Sequence, residues 1–218
     1  MLFFDRFRQS RPPLIRQAFD DVHLMLNVTH RMFVEATAAL LENEILQLDL
    51  RAEDEIVNRK EREIRRAVYE HLSRHPHQEL ELSLTLLCII QDVERIGDMA
   101  KSFAETSELA HKTRISPQVL PLRAHRDRIG EMFSWTRESF ARKDEQEARR
   151  AMEAHTGVKR GLSAYVSELA DRPDVLPNEA VVLALAARLL SRTSSHLSNI
   201  ASSVALPFDL LRCSPTWT

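Results

Sequence analysis

The stretch Val93-Glu94-Arg95-Ile96-Gly97-Asp98 carries two carboxylates four residues apart, and a distorted copy of it recurs at Leu190-Ser191-Arg192-Thr193-Ser194-Ser195-His196. Superposing Glu94 on Ser191, an offset of 97 residues, brings Arg95 onto Arg192, Asp98 onto Ser195, Ala104 onto Ala201 and Glu105 onto Ser202. The apolar register survives the superposition and the acids do not. Both copies follow long segments of helical composition, so the pattern predicts two similar helical units, one after the other.

Working outward from these stretches, the chain reads as all-α. It has 4 glycines in 218 residues, lacks the turn dipeptides of sheet proteins, and fills its long segments with Leu, Ala, Glu and Arg. Prolines and capping residues predict six helices. The first runs from Pro12-Pro13 to about Asn43 and the second from about Glu44 to Arg74, stopped by His75-Pro76-His77; the third continues to about Lys112. Ser116-Pro117 reads as an N-cap with proline at the first helical position, opening a fourth helix that ends near Lys143. Asp144 with Glu147 resembles a capping box for the fifth, which stops at Asp171-Arg172-Pro173; Pro177-Asn178 opens the sixth, closed by Pro207. Gly157 and Gly161 weaken the fifth helix or admit a close neighbour. The architecture expected is two tandem antiparallel three-helix bundles, packed in line or side by side. Their bounds are 14–113 and 117–207, with an N-terminal segment 1–13 and a tail 208–218.

Composition narrows the function classes. A net charge of -2 with interleaved signs gives no bulk argument for nucleic acid. The two cysteines, Cys88 and Cys213, form neither a disulfide framework nor a metal-ligand pattern. Met1-Leu2-Phe3-Phe4-Asp5-Arg6-Phe7 is too short an apolar run for a signal peptide. The apolar stretches Leu82 to Ile90 and Ala180 to Leu190 fall short of the roughly 20 residues of a membrane span. A cytoplasmic protein, peripheral to a membrane at most, is expected.

Glu94 and Asp98, at i and i+4, project from one helical face and repel unless a cation or basic residue lies between them. Asp54, Asn58 and Glu61 share a face of the second helix in the same way. Antiparallel helices presenting oxygen ligands to each other resemble carboxylate metal sites of bundle proteins. Oxygen-only ligation suits hard ions such as Mg, Mn, Ca or iron. The plainer reading is a solvated acidic pair neutralised by Lys101, one turn beyond Asp98. The row Leu82, Leu86, Ile89, Val93, Ile96 and Phe103 buries one stripe of the third helix, with Glu94 at its margin. Gly97 beside that stripe costs about 1 kcal/mol of helix propensity relative to Ala, which points to close helix approach.

The stretch Gln91 to Glu105 resembles the LERIGDxAxNIAE signature of PhoU-type phosphate uptake regulators. The preceding helix, through Asp54, Val57, Asn58, Glu61 and Ile64, is similar to that family's D-x-x-I-N-x-x-E-x-x-I pattern. The sixth helix is similar to its second-repeat form through Arg192, His196, Asn199, Ile200 and Ala201, and the resemblance spans roughly Leu14 to Pro207. It implies a cytoplasmic, non-enzymatic, often dimeric regulator of phosphate uptake, working with a phosphate transporter component and a sensor histidine kinase. A sodium-coupled phosphate transporter is the alternative partner. The resemblance also implies metal binding through E-x-x-x-D motifs. Here only the first repeat retains one, so a divalent or iron-type ion is expected in that repeat alone, on Glu94 and Asp98 with Asp54, Asn58 and Glu61 as partners. Arg65 and Arg66 depart from the family pattern, as do Ser191, Ser195, His155 and Lys159 in the second repeat.

His155 and His196 form the other candidate metal pair, against the commoner reading of hydrogen-bonded structural histidines. His75 and His77 read as loop residues, and Phe133, Trp135 and Phe140 as core or interface filler. No phosphate-binding glycine loop, serine elbow or Cys-His pairing is present. A metal-binding helical bundle, whose metal performs chemistry or simply stabilises the fold, is the alternative of a different class. Near Glu94 there is no Glu-x-x-His pair of the kind that di-iron bundles carry on the core face.

Overall fold

The computed structural model describes residues 12–212. Met1 to Phe7 and Cys213 lie outside the described residues, as do most of the N-terminal segment and part of the tail. Six helices follow one another: α1 Pro13–Glu42, α2 Leu50–Arg74, α3 Leu80–Glu108, α4 Val119–Arg142, α5 Glu145–Ala170 and α6 Pro177–Ala205, then a 3₁₀ turn Phe208–Leu210. No strand occurs among the described residues, and no helix among them is long and apolar enough to cross a membrane.

Prolines open α1 and α6 at their first positions, where a missing N–H costs nothing. Asp144 caps α5 by accepting hydrogen bonds from the backbone of Gln146 and Glu147. The reciprocal half of that capping box is not made: the Asp144 N–H goes to the Ser139 carbonyl instead.

Three boundaries differ from expectation. Helix α2 starts at Leu50, because Asn43 ends α1 in the left-handed region (φ 61°) and Asp49, accepting from Arg51 and Ala52, is the true cap. Helix α3 begins at Leu80, after a turn through residues 75–79, and ends at Glu108. Beyond it Asn178 of α6 takes over, bonding the Leu109 carbonyl and the His111 N–H. Ser116 does not cap α4; the chain makes two i to i+3 bonds, Val119 to Ser116 and Leu120 to Pro117, before the helix begins at Val119.

Helices α1, α2 and α3 pack on one another, as do α4, α5 and α6. The two units join along a seam made by α3 against α6 and α1 against α4, leaving α2 and α5 outermost. One hydrophobic core runs through both. At the seam Phe33 of α1 meets Phe103 of α3 edge-on at 5.9 Å and Phe133 of α4 at 5.3 Å. Phe133 also stacks on His30, and Phe140 on Phe19. Trp135 is buried between the guanidinium groups of Arg128 and Arg150, 4.6 and 4.3 Å from its ring centre.

The connection between the units is tied down. Arg114 donates to the carbonyls of Ala39 and Leu40 at 2.7 Å each, and Arg123 to that of Leu41 at 2.8 Å. The open carbonyls at the end of α1 are therefore closed by side chains from the connection and from α4. Asn43 and Arg114 exchange further hydrogen bonds through the Asn43 side chain.

Candidate functional site

The inward face of α2 and the adjoining face of α3 bring the first-repeat acids to one surface. Asp54 is buried, and its Oδ2 accepts from Asn58 at 3.0 Å and from the Lys101 ammonium at 2.8 Å. The same ammonium lies 3.0 Å from Asp98 Oδ1. Arg95 lies 3.6 Å from Glu94 and 3.3 Å from Asp98, while Glu61 is paired with Arg65 at 2.7 Å. Burial pushes the Glu94 carboxyl above its ordinary value, reinforced by the Asp98 charge and opposed by Arg95. Burial works against the Lys101 charge, but hydrogen bonds to Asp54 and Asp98 outweigh it and hold the ammonium above the usual lysine value.

Two observations bear on whether these residues fit a metal ion. Asp54 Oδ1 is buried without a hydrogen-bond partner, the kind of oxygen a cation satisfies. Against it, the space between Asp54 and Asp98 already holds the Lys101 ammonium. No group of three His, Cys, Asp or Glu side chains among the described residues is disposed to hold a metal. With Lys101 in place the donor set does not fit a metal ion; the cation it holds is the protein's own.

In the second unit the corresponding face has different chemistry. His155 of α5 stands 2.9 Å from Ser194 Oγ of α6, and Ser194 donates to the Ser191 carbonyl. His196 turns to the other side of α6, where its Nδ1 lies 2.8 Å from Asp92. The structure therefore does not bring His155 and His196 together. Burial, aided by Lys159, pushes the His155 imidazole down to about 4; burial, aided by Arg137, does the same to His30. Both are neutral at pH 7. On unfolding they regain values near 6.5, so the unfolded chain takes up protons first. The stability they confer is complete above about pH 6.5 and is lost as pH falls toward 4. Glu94, shifted upward, acts in the opposite sense near its own range. Urea midpoints are expected to fall between pH 7 and pH 4.5, and His155→Gln to flatten that slope.

The 97-residue offset also sets Ser194 on Gly97. A Cβ on Gly97 would lie 3.5 Å from Asp54 Oδ1 and 3.7 Å from the Thr29 methyl, which is ordinary contact. Gly97 is thus not required by helix approach, and no hydroxyl stands beside Asp54 Oδ1 as Ser194 Oγ stands beside His155. Gly97→Ala is expected to stabilise by up to about 1 kcal/mol through helix propensity. Gly97→Ser should match or exceed it by donating to Asp54 Oδ1, with chemical denaturation as the measurement. Gly161 is the opposite case: a Cβ there would stand 2.6 Å from the His125 ring, so a neighbour does approach closely. Gly157 faces open space.

A second polar centre was not legible in the sequence. Asp92, one residue before the opening stretch, is buried beneath α6 and accepts from His196, Asn199 at 2.9 Å and Arg212 at 3.0 Å. Arg212 reaches it from 120 residues away and also donates to the Cys88 carbonyl. These groups floor an open cleft of about 550 Å³ rimmed by Glu61, Arg65, Glu94 and Arg95. Three acids, Glu61, Asp92 and Glu94, and three arginines, Arg65, Arg95 and Arg212, line it.

An all-α repeat bundle with a lysine-neutralised acid face on its first unit is thus the class of protein that the geometry defines. Residues 22–107, within the first unit, match the family model described as PhoU domain. No curated protein matches the chain. Among solved structures, PhoU from Pseudomonas aeruginosa superposes with a TM-score of 0.80 at 23% identity, covering 88% of this chain and 95% of that one. That likeness establishes the two-unit fold over nearly the whole length.

Proposed function

We propose that this chain is a non-enzymatic, cytoplasmic regulator of phosphate uptake or phosphate signalling. It acts by docking onto a phosphate transporter component or its sensor histidine kinase, as a homodimer. The observation that carries the reading is the PhoU-domain match over residues 22–107, in a chain whose fold follows PhoU over 88% of its length. Deleting the gene is expected to alter phosphate uptake or the phosphate-starvation response. An unchanged phenotype in both low and high phosphate would remove the reading. Measuring uptake in strains that lack either the ATP-driven or the sodium-coupled phosphate transporter assigns the partner.

The second reading adds a divalent or iron-type ion on Asp54, Glu61, Glu94 and Asp98 with Asn58, and rests on the unpartnered Asp54 Oδ1. It requires Lys101 to swing away. Elemental analysis of the purified protein and of a Lys101→Met variant separates the two: metal in the variant alone marks lysine as the competitor, and metal in neither removes the ion.

A further inference from the structure

The outer face of α2 carries five exposed arginines, Arg51, Arg59, Arg62, Arg66 and Arg74, whose guanidinium groups form no hydrogen bond or ion pair with any described residue. Arg160, Arg188 and Arg192 of the second unit are also exposed without such partners, but only α2 gathers five on one face among the described residues. Arginines elsewhere are commonly engaged, as Arg65 with Glu61, Arg95 with Asp98, Arg126 with Glu42 and Arg212 with Asp92. At 100° per residue the five fall within one sector of the helix, opposite the buried side chains of Asp54, Val57, Ile64 and Val68. They extend over roughly 35 Å at the helical rise. Helix α2 packs on α1 and α3 and is an outermost element, so the ridge faces away from the second unit. Tyr69, 74% exposed, stands in the same sector.

We infer that this ridge is a docking surface for an acidic protein face, one that presents carboxylates at helical spacing. The inference rests on the proposed regulatory role and names the surface through which it works. Guanidinium groups without a hydrogen bond or close ion pair, Arg59 and Arg62 feeling Glu63 only through space, have no intramolecular hydrogen bond to give up on binding, and each matches a carboxylate in a two-pronged geometry that lysine lacks. Exposed Tyr and Arg are the residue types enriched where proteins meet. The ridge also contains the exposed Glu55 and the partly exposed Glu70, while Glu63 is held by Lys60. These acids set a register that discrete side chains of a protein can follow and that a uniform sheet of anionic headgroups or a phosphate backbone cannot. Nor does the ridge offer a lipid-inserting stripe, because the apolar face of α2 is buried against α1 and α3.

The test compares the wild-type chain with R59Q/R62Q/R66Q, whose replaced side chains are exposed, after circular dichroism and melting confirm an unchanged fold. The probe is a labelled helical peptide with glutamates at i, i+3 and i+7, read by fluorescence anisotropy. The wild type is expected to bind saturably, weakening as salt rises from 50 to 300 mM, with the variant at least tenfold weaker. Equal binding by the two proteins, or none by either, overturns the inference. So does tighter wild-type binding to vesicles containing phosphatidylserine, or to duplex DNA, than to the peptide. In cells, the variant at native level is expected to reproduce the deletion phenotype. If the deletion alters phosphate control and the folded variant does not, the ridge falls and the regulatory reading stands. If the deletion is silent, the regulatory reading falls and peptide binding alone decides the ridge.

Discussion

Phe33→Ala is expected to lower the free energy of unfolding by about 3–5 kcal/mol, the range for removing a buried aromatic side chain. Phe33 is 2% exposed and touches rings from both units, Phe103 at 5.9 Å and Phe133 at 5.3 Å. The cavity left behind would be bounded by α1, α3 and α4 at once, and helices in one continuous core collapse poorly around such a void. A loss near the top of the range is therefore expected, with one cooperative transition for both units. Urea denaturation followed by near-ultraviolet and far-ultraviolet circular dichroism checks both points. A loss below about 1 kcal/mol, well under the aromatic range, would show that the seam is loosely packed. Two separated transitions would show that the units unfold independently.

Asp92→Ala is expected to cost about 2–4 kcal/mol, a little below the full penalty for breaking a buried ion pair. The discount reflects Arg212, whose side chain is 42% exposed and regains water when released. His196 and Asn199 are less fortunate: both lose a carboxylate acceptor at 2.8 and 2.9 Å in a half-buried setting. Loss of Asp92 also removes one of the three hydrogen-bond anchors of Arg212, leaving those to the Cys88 carbonyl and the Ser202 hydroxyl. Trypsin should then cleave after Arg212 faster than in the wild type. Unchanged cleavage together with unchanged stability would show that the tail is held by other contacts.

The features read correctly from the sequence are those set by neighbours along the chain. Proline at the first turn, the Asp144 cap and the stripe from Leu82 to Phe103 each act within a few residues, and they gave six helices and the repeat. The sequence puts the start of α2 near Glu44, whereas the chain breaks at Asn43 and resumes at the Asp49 cap; the left-handed Asn43 that ends α1 carries no distinctive signal, since asparagine serves many roles. Ser116-Pro117 misled in the other direction, a good local signal overruled by the turn that leads into α4.

Within the candidate site, the pairing of Glu94 with Asp98 and of Asp54 with Asn58 was visible from spacing alone. The bridge from Lys101 to Asp54 joins two helices, so only its Asp98 half was legible as a spacing on α3. The Asp92 centre depends on Arg212 arriving from the far end of the chain, and no local pattern encodes such a contact.

The arginine closure of α1 has a consequence for how the protein is made. The carbonyls of Ala39 and Leu40 find their partner only in Arg114, 75 and 74 residues further on. During synthesis the long first helix therefore leaves the ribosome with a frayed end that water alone can serve. Its last turn is completed only when the connecting segment and the start of α4 arrive, after α2 and α3 have been made.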